Sequence, residues 1–374
     1  MGDGRTLAQG HDVLLLENGG ALVARARSSA GVATLDAMEA LHRAADHDAL
    51  PRVKERAERA LVFELAPLGT LEQLLVEARA QGETLRYEAA LGLGSLTAEA
   101  YQAASRASPA RAAGVLSAGQ VVLDREGRVR FIGLTTGLRL DRGADGAVSP
   151  FVAIAPELLR GEPPDAGSDV YAAAHLGVLV APFLRFPPAL GAALTGAADS
   201  EALLEAARFF DRHVATHVRA ERARSLDVVL ARFEAAWRQL GLTWSPRAAE
   251  EELAQVARRL LGASMRSLDV RPDGRGFRRG LGEWVDLERR LAPRGVFAAL
   301  VEDARRGGPG LDFDEMLAAG WPDERVLHEA GRARVHVAVS TLRKLGLGDW
   351  LEHEAGRYRL RRDVTIRQAL TSEG

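Results

Sequence analysis

The stretch from Phe151 to Val180 constrains this chain more than any other. Its first part contains Ala155-Pro156-Glu157, and Ser168-Asp169-Val170-Tyr171 then leads into a run rich in apolar residues. That second part predicts an apolar helix.

Composition describes an ordinary folded protein. The 374 residues allow two or three domains with a sizeable core, and 47% hydrophobic with 27% charged residues argue against large-scale disorder. The net charge of -2 gives no general attraction to nucleic acid or to anionic membranes. Cysteine is absent from the sequence, which excludes disulfides, thiolate metal sites and a cysteine nucleophile.

Nothing in the sequence indicates a membrane segment. No basic-then-apolar leader opens it, and its longest apolar run, residues 176–194, is broken by Pro182, Arg185, Pro187 and Pro188. We therefore expect a cytoplasmic protein with no membrane partner.

Ala155-Pro156-Glu157 followed by Asp169 resembles the centre of a serine/threonine protein-kinase catalytic domain. In that family Ala-Pro-Glu closes the activation segment, and an Asp about ten to fifteen residues later opens a buried helix of the larger lobe. The resemblance implies a bilobal fold of the α+β class.

The first 70 residues resemble a kinase small lobe. Residues 11–17 and 21–27 flank an Asn18-Gly19-Gly20 turn and predict two antiparallel strands. A helical pattern follows at 33–46, and further strands end at Leu65. Residues 61–75 resemble the hinge and the helix after it.

The groups that hold ATP in a kinase small lobe are missing. Only Gly10 stands where a glycine-rich loop is needed, and Arg25 or Arg27 occupies the place of the strand Lys. Met38 takes the position of the helix Glu, although a register shifted by one residue would place Glu39 there.

Residues 113–124 resemble the kinase catalytic loop without its chemistry. Val115 stands where an Asp accepts the substrate proton, Ala113 replaces the preceding His, and Gln120 replaces the Asn that binds magnesium. Gly133 replaces the metal-binding Asp of Asp-Phe-Gly. A valine can neither accept a proton nor orient a hydroxyl group.

The scaffold positions remain while the catalytic ones are lost, which is the pattern of a pseudokinase. Arg222 is the expected ion-pair partner of Glu157, and Asp169 completes the architectural set. His213 and His217 have a spacing that suits metal ligands, but a solvated helix face explains them better, so we expect no metal site.

Residues 265–374 carry a second resemblance. The pattern there predicts short strands joined by glycine turns, then helices, then a closing hairpin. This order is similar to that of the winged helix-turn-helix of response-regulator-type transcription activators. This resemblance implies that Val335, Val339, Leu342 and Leu345 face the core. The residues implied to face the DNA major groove are Arg334, His336, Ala338, Ser340, Thr341 and Arg343, with Arg357 and Arg359 on or beside the wing.

DNA binding by this domain is only one of two interpretations. Ala338 and Ser340 are small where long polar readers are usual. Residues 265–374 contain 20 basic and 18 acidic residues, so their net charge of +2 is low for a DNA-binding domain. The alternative is a winged helix used for protein contact or dimerisation.

The sequence thus predicts a small lobe (1–70), a large lobe (71–243), a helical linker (244–264) and a winged helix domain (265–374). The expected function is that of a non-catalytic bacterial regulator, which senses a protein partner or small ligand through the kinase-like part and contacts DNA through the C-terminal domain. A protein scaffold is the alternative, and an atypical active kinase is a remote one. We expect neither a cofactor nor nucleotide binding.

Overall fold

The computed structural model describes residues 4–108, 112–185, 201–214, 216, 218–239, 245–264, 266–280, 284–322, 324 and 328–368. The chain divides into two compact units, Met1–Gly262 and Ala263–Gly374. This division lies close to residue 265, where the sequence places the start of the last domain.

Unit 1 opens with a five-stranded antiparallel sheet in the order β1-β2-β3-β5-β4. Its strands are β1 (Arg5–Gln9), β2 (Val13–Asn18), β3 (Ala21–Ala26), β4 (Val53–Ala57) and β5 (Ala60–Phe63). Strand β1 is an addition to the predicted elements. The other four strands agree with the hairpin and the later strands that the sequence predicts.

Helix α1 (Ser29–Ala44) packs against one face of this sheet. The Ser28 side chain caps its N-terminus by accepting the Gly31 N–H, which satisfies one of the free donors of the first turn. The apolar stripe of α1 joins the inward face of the sheet in one core. Buried members of that core include Leu7, Leu15, Leu22, Leu35, Met38, Leu61 and Phe63.

The rest of unit 1 is mostly helical. Its helices are α2 (Leu71–Gln81), α3 (Tyr87–Ala107), α4 (Pro156–Leu159), α5 (Ala166–Val180), α6 (Glu201–His213), α7 (Leu226–Gln239) and α8 (Pro246–Ser264). Its short strands are β6 (Pro67–Thr70), β7 (Leu85–Arg86), β8 (Val115–Ser117), β9 (Val121–Asp124), β10 (Val129–Phe131), β11 (Val152–Ile154) and β12 (Leu184–Arg185). They form the sheets β10-β9-β6, β11-β8 and β12-β7. Strand β6 therefore pairs with later strands, although the sequence places it in the small lobe.

Helix α8 is not the linker that the sequence predicts at 244–264. Glu252 forms an ion pair with Arg86 at 2.8 Å, and Glu250 accepts the Val129 N–H at 3.1 Å. Leu253 and Leu260 are buried. An amphipathic pattern fits a linker or a docked helix equally well, and here the apolar stripe is buried in unit 1.

The described residues of unit 2 form a small sheet, three α-helices and a hairpin. The sheet order is β15-β14-β13-β18, with strands β13 (Ser267–Val270), β14 (Gly276–Arg279), β15 (Trp284–Asp286) and β18 (Thr365–Gln368). The helices are α9 (Leu291–Arg305), α10 (Phe313–Gly320) and α11 (His328–Leu342), and the hairpin is β16 (Leu351–Glu354) with β17 (Arg357–Leu360). The core of unit 2 includes Phe277, Phe297, Leu300, Met316, Val339 and Leu342.

Within the described ranges, no helix combines the length and the hydropathy that crossing a membrane requires.

Candidate functional site

The structure brings Glu157 and Arg222 together in a buried ion pair. Arg222 Nη1 lies 2.6 and 2.8 Å from the two carboxylate oxygens, and both side chains are 0% exposed. The Ser168 hydroxyl donates a further hydrogen bond to Glu157. Burial alone would raise the pKa of Glu157, but the hydrogen bonds from Arg222 and Ser168 bring it below its ordinary value.

Asp169 fixes the loop that resembles the kinase catalytic loop. Its Oδ1 accepts the backbone N–H groups of Ala113 at 3.0 Å and of Gly114 at 2.7 Å. Burial raises the pKa of Asp169 to about 6, against the opposing effect of these two hydrogen bonds. The backbone of this loop is therefore fixed at Ala113 and Gly114.

Val115 and Gln120 are both held by contacts within the fold. Val115 is buried in β8, where it pairs with Ile154 of β11. Gln120 Oε1 accepts the Ser117 N–H at 3.0 Å, and its Nε2 donates to the Ile132 carbonyl at 3.2 Å. Both ends of the amide thus bind backbone.

Gly133 is held by a histidine of α1. Its N–H donates to His42 Nε2 at 3.2 Å, and His42 Nδ1 donates to the Pro51 carbonyl at 2.9 Å. His42 is 2% exposed, and burial lowers its pKa to about 4 although the bond to Pro51 opposes this shift. A neutral imidazole with one donor and one acceptor nitrogen meets both bonds. Sequence analysis did not single out His42.

Arg25 does not occupy the position of the strand Lys, and the expectation for this residue is corrected. Side chains alternate along a strand, and Leu22, Ala24 and Ala26 of β3 face the core that contains α1. Arg25 therefore lies on the opposite face of β3, the face that also carries Val23. Its Nη2 atom is buried and has no hydrogen-bond partner among the described residues. A shift of one residue in the register reverses the face of a strand, which is why counting alone misplaced it.

Met38 of α1 faces the core, whereas the open alternative Glu39 does not. Met38 is 0% exposed and shares a core with Ala26 of β3. Glu39 instead pairs with Arg43 at 2.8 Å and with Arg56 of β4 at 3.3 Å. The core that α1 and β3 share is thus apolar at Met38 and Ala26.

The segment after Gly133 fills the space between the five-stranded sheet and the catalytic-loop equivalent. Leu138 is 1% and Leu140 0% exposed, and both belong to the core formed by the inward faces of β1–β3 and α1. A Cβ added to Gly119 would lie 3.0 Å from the Ala8 Cβ and 3.5 Å from the Leu140 Cβ. We call residues 138–149 the closing segment.

Backbone hydrogen bonds attach the closing segment to β1. The Gln9 N–H donates to the Arg142 carbonyl at 2.9 Å, and the Arg142 N–H donates back to the Gln9 carbonyl at 3.0 Å. The Gln9 side chain also donates to the Ala144 carbonyl at 3.2 Å. Gly10 is required here because a Cβ at this position would lie 1.9 Å from the Arg139 carbonyl oxygen.

Glu72 of α2 lies against the other side of the closing segment. It is buried, its Oε2 has no hydrogen-bond partner among the described residues, and a Cβ added to Gly143 would lie 3.4 Å from its Oε1. Burial raises the pKa of Glu72 despite the opposing effect of the neighbouring Ser149, and the nearby charge of Asp145 raises it further.

Sequence analysis missed the closing segment, although one signal was present. Leu138 and Leu140 alternate with Arg139 and Asp141, a period of two that is typical of a half-buried extended chain. Two such residues are too few to predict a strand. Their burial depends on contacts with β1, which lies about 130 residues earlier in the sequence.

In unit 2, helix α11 presents most of the predicted side chains to solvent. Arg334, His336, Ser340 and Arg343 are exposed, and the Thr341 hydroxyl donates to the Val337 carbonyl of its own helix at 2.8 Å. The stripe of Val335, Val339 and Leu342 is buried, with Leu345 partly buried against it. The expectation that Ala338 faces the DNA side is wrong. Ala338 is 2% exposed, because its small side chain fits into the core.

Acidic side chains neutralise three of the predicted DNA-contacting arginines. Arg334 pairs with Glu324. Arg357 reaches Asp312 at 3.3 Å and Glu315 at 2.9 Å, the residues that cap α10. Arg359 lies 2.9 Å from Glu352 and 2.8 Å from Glu354.

His213 Nδ1 donates to the Glu221 carbonyl at 2.9 Å, and His217 lies outside the described residues. Among the side chains that the structure describes, no group of three His, Cys, Asp or Glu is arranged to hold a metal ion.

Unit 1 has a protein-kinase-like fold in its element order. A small sheet with one helix precedes a mainly helical part, in which Asp169 and the Glu157–Arg222 pair hold the loops around β8.

Comparisons with known proteins gave matches among solved structures only. No family model and no curated protein matches the sequence. One similar crystal structure is the kinase domain of PknI from Mycobacterium tuberculosis, with 17% identity over 64% of this chain and 94% of that chain, at a TM-score of 0.41. A double mutant of that kinase domain matches with 16% identity over 62% of this chain and 94% of that chain, at a TM-score of 0.43.

Proposed function

We propose that this chain is a pseudokinase, a kinase-like regulator that acts by binding a protein partner and does not transfer phosphate. The observation that carries the proposal is the closing segment, whose Leu138 and Leu140 are buried in the core of β1–β3 and α1. A nucleotide placed against β1 would have to displace these side chains and the two hydrogen bonds between Gln9 and Arg142.

The lost side chains support the same conclusion independently of the closing segment. Phosphoryl transfer depends on a base, metal ligands and a phosphate-binding cation. Val115, Gln120 and Gly133 supply neither a base nor a metal-binding carboxylate, and Ala26 and Met38 supply no ion pair. Because several groups are absent together, restoring one carboxylate would not restore activity.

The experiment is calorimetry with magnesium-ATP, combined with transfer of labelled γ-phosphate. We expect no saturable binding at concentrations up to about 1 mM, which corresponds to a binding free energy weaker than roughly -4 kcal/mol. The variant carrying both Val115→Asp and Gly133→Asp should remain inactive. Magnesium-enhanced binding in the low micromolar range, or phosphate incorporation by purified protein, would overturn the proposal.

For unit 2 we propose protein contact in preference to DNA contact. The favouring observation is that carboxylates already pair with Arg334, Arg357 and Arg359. A phosphate would have to compete with these carboxylates, which reduces the counterion release that drives DNA binding.

A further inference from the structure

A pocket of about 270 Å³ lies in unit 1, between the end of α3, the start of α5 and the chain just before α7. Its walls combine two buried side chains, Tyr101 and Asp169, with two exposed arginines, Arg106 and Arg224. Its lining residues lie outside the closing segment, so binding here is separate from nucleotide binding against β1. A concave site with a few polar groups of this kind is typical of small-molecule binding.

The hydroxyl group of Tyr101 has no role in holding the described part of the fold together. It is buried and has no hydrogen-bond partner among the described residues. Leaving a buried hydroxyl group unpaired costs free energy, and phenylalanine would fill the same space without this cost. The hydroxyl group of Tyr101 therefore indicates a hydrogen-bond partner that comes from outside the chain.

Asp169 keeps one carboxylate oxygen for a further hydrogen bond. The N–H groups of Ala113 and Gly114 both bind Oδ1, and no side chain or backbone group among the described residues donates to Oδ2. An ionised carboxylate accepts hydrogen bonds at both oxygens. Burial raises the pKa of Asp169 to about 6, so the group is mostly ionised at pH 7 and suits a cationic donor.

The two arginines of the pocket are available to an anion. Within the described ranges, neither Arg106 nor Arg224 forms an ion pair or a side-chain hydrogen bond. Asp227, which lies close to Arg224 in the chain, is bound by Gln102 and Ser225 instead. A ligand carboxylate would thus meet two unpaired guanidinium groups, which form strong, charge-assisted hydrogen bonds with such a group.

We propose that this pocket binds a small zwitterion of the α-amino-acid class. The ligand ammonium group donates to Asp169 Oδ2 and to the Tyr101 hydroxyl oxygen, and the ligand carboxylate accepts from Arg106 and Arg224. A ligand with only one of these charges leaves the other part of the pocket unpaired. The volume suits a ligand smaller than a drug, since it is at the lower end of the range for small-molecule pockets.

The test titrates the full chain with each standard protein amino acid by calorimetry. We expect at least one of them to bind with a Kd of roughly 10 μM to 1 mM. The matching amine lacks the carboxylate and the matching acid lacks the ammonium group, and each should bind at least roughly tenfold more weakly. No saturable binding of any amino acid below about 10 mM, or equal binding of the amine or the acid, would overturn the proposal.

Tyr101→Phe separates ligand binding from stability. Because the hydroxyl group has no partner in the described fold, its removal should leave the thermal unfolding midpoint unchanged or raise it. Binding of the best amino acid should weaken by about fivefold to tenfold. A lower unfolding midpoint would show that the hydroxyl group serves the fold, and unchanged binding would show that it does not contact the ligand. Either result would overturn the assignment.

Arg224→Gln tests the anionic end of the ligand in the same titration. It removes one of the two cations of the pocket and should weaken binding roughly tenfold. Arg79→Gln is the matched control, since Arg79 is an exposed arginine of α2 outside the pocket, and it should leave binding unchanged. Equal affinities of the native chain and of Arg224→Gln, or equal losses in Arg224→Gln and Arg79→Gln, would contradict a carboxylate site at Arg224.

Discussion

The carboxyl groups of Glu157 and Asp169 are buried, and burying a charged group costs free energy. Each carboxylate is compensated by fixed donors: Glu157 by Arg222 and Ser168, and Asp169 by two backbone N–H groups. Removing one member of such a set leaves the other members without partners in a region of low polarity. These residues are therefore expected to contribute strongly to the stability of unit 1.

Glu157→Ala should destabilise unit 1 by about 3 to 5 kcal/mol, because it strands the Arg222 guanidinium. Chemical denaturation of Glu157→Ala, Arg222→Ala and the double variant forms a mutant cycle. We expect the double variant to be much less destabilised than the sum of the single ones. Additive effects would contradict an energetic coupling between the two side chains.

His42 should make the stability of unit 1 depend on pH. Its folded pKa of about 4 lies below the ordinary value of 6.5, so the unfolded chain binds a proton first as the pH falls. Above pH 6.5, His42 makes its full contribution to the free energy of unfolding. This contribution is lost as the pH falls towards 4, and the loss at pH 4.5 is about 2 to 3 kcal/mol.

The measurement compares unfolding of the native protein and of His42→Gln at pH 7 and at pH 4.5. Burial raises the pKa of Asp169 to about 6, so this residue changes the free energy of unfolding with pH in the direction opposite to His42. The effect of Asp169 is the same in both proteins and cancels in the difference between them. His11→Gln, at a side chain that is 91% exposed, is the matched control. An equal pH dependence in native and His42→Gln proteins would show that His42 is not the titrating group.

At the scale of elements, the closing segment is attached to unit 1 both by its side chains and by its backbone. Its leucines are part of the core, and its backbone extends β1 by two hydrogen bonds. A segment that contributes both core packing and backbone pairing is expected to open rarely, in contrast to a loop with few buried contacts.

Gly10→Ala should loosen the closing segment, because the new Cβ would lie 1.9 Å from the Arg139 carbonyl oxygen. Hydrogen exchange of the Arg142 amide, which donates to Gln9, should accelerate at least tenfold. Gly177→Ala is the control, since a Cβ there meets no atom within 4 Å. Unchanged exchange at Arg142 would mean that β1 and the closing segment are not coupled through Gly10.

The sequence predicts elements of unit 1 where local signals exist. The turn at Asn18-Gly19-Gly20 and the helical pattern of α1 are local, and both elements form close to the predicted positions. Strand β1 has only five residues, so its alternation is too short to recognise. Ala338 shows the limit for single residues, since a small side chain is compatible with either face of α11.

At the scale of the whole molecule, each unit has its own apolar core, and the chain carries a net charge of -2. For unit 1 we propose regulation by contact, because Val115, Gln120 and Gly133 supply neither a base nor a metal-binding carboxylate. For unit 2 the two open interpretations differ in their electrostatics, because DNA binding needs free cations and protein docking does not.

The full chain should therefore bind duplex DNA weakly, with an affinity that depends little on salt. Proteins that contact six to ten phosphates show log-log salt slopes of about -5 to -9, whereas paired arginines release few counterions and predict a slope nearer to about -2. A salt titration compares the native chain with Arg334→Ala and Arg359→Ala, with Arg43→Ala on unit 1 as the control. The opposite outcome would be a steep salt dependence whose slope decreases by roughly one in each of the two unit 2 variants and stays unchanged in the control. That result would show that phosphate displaces Glu324 and Glu352 from these arginines and that DNA is the partner of unit 2.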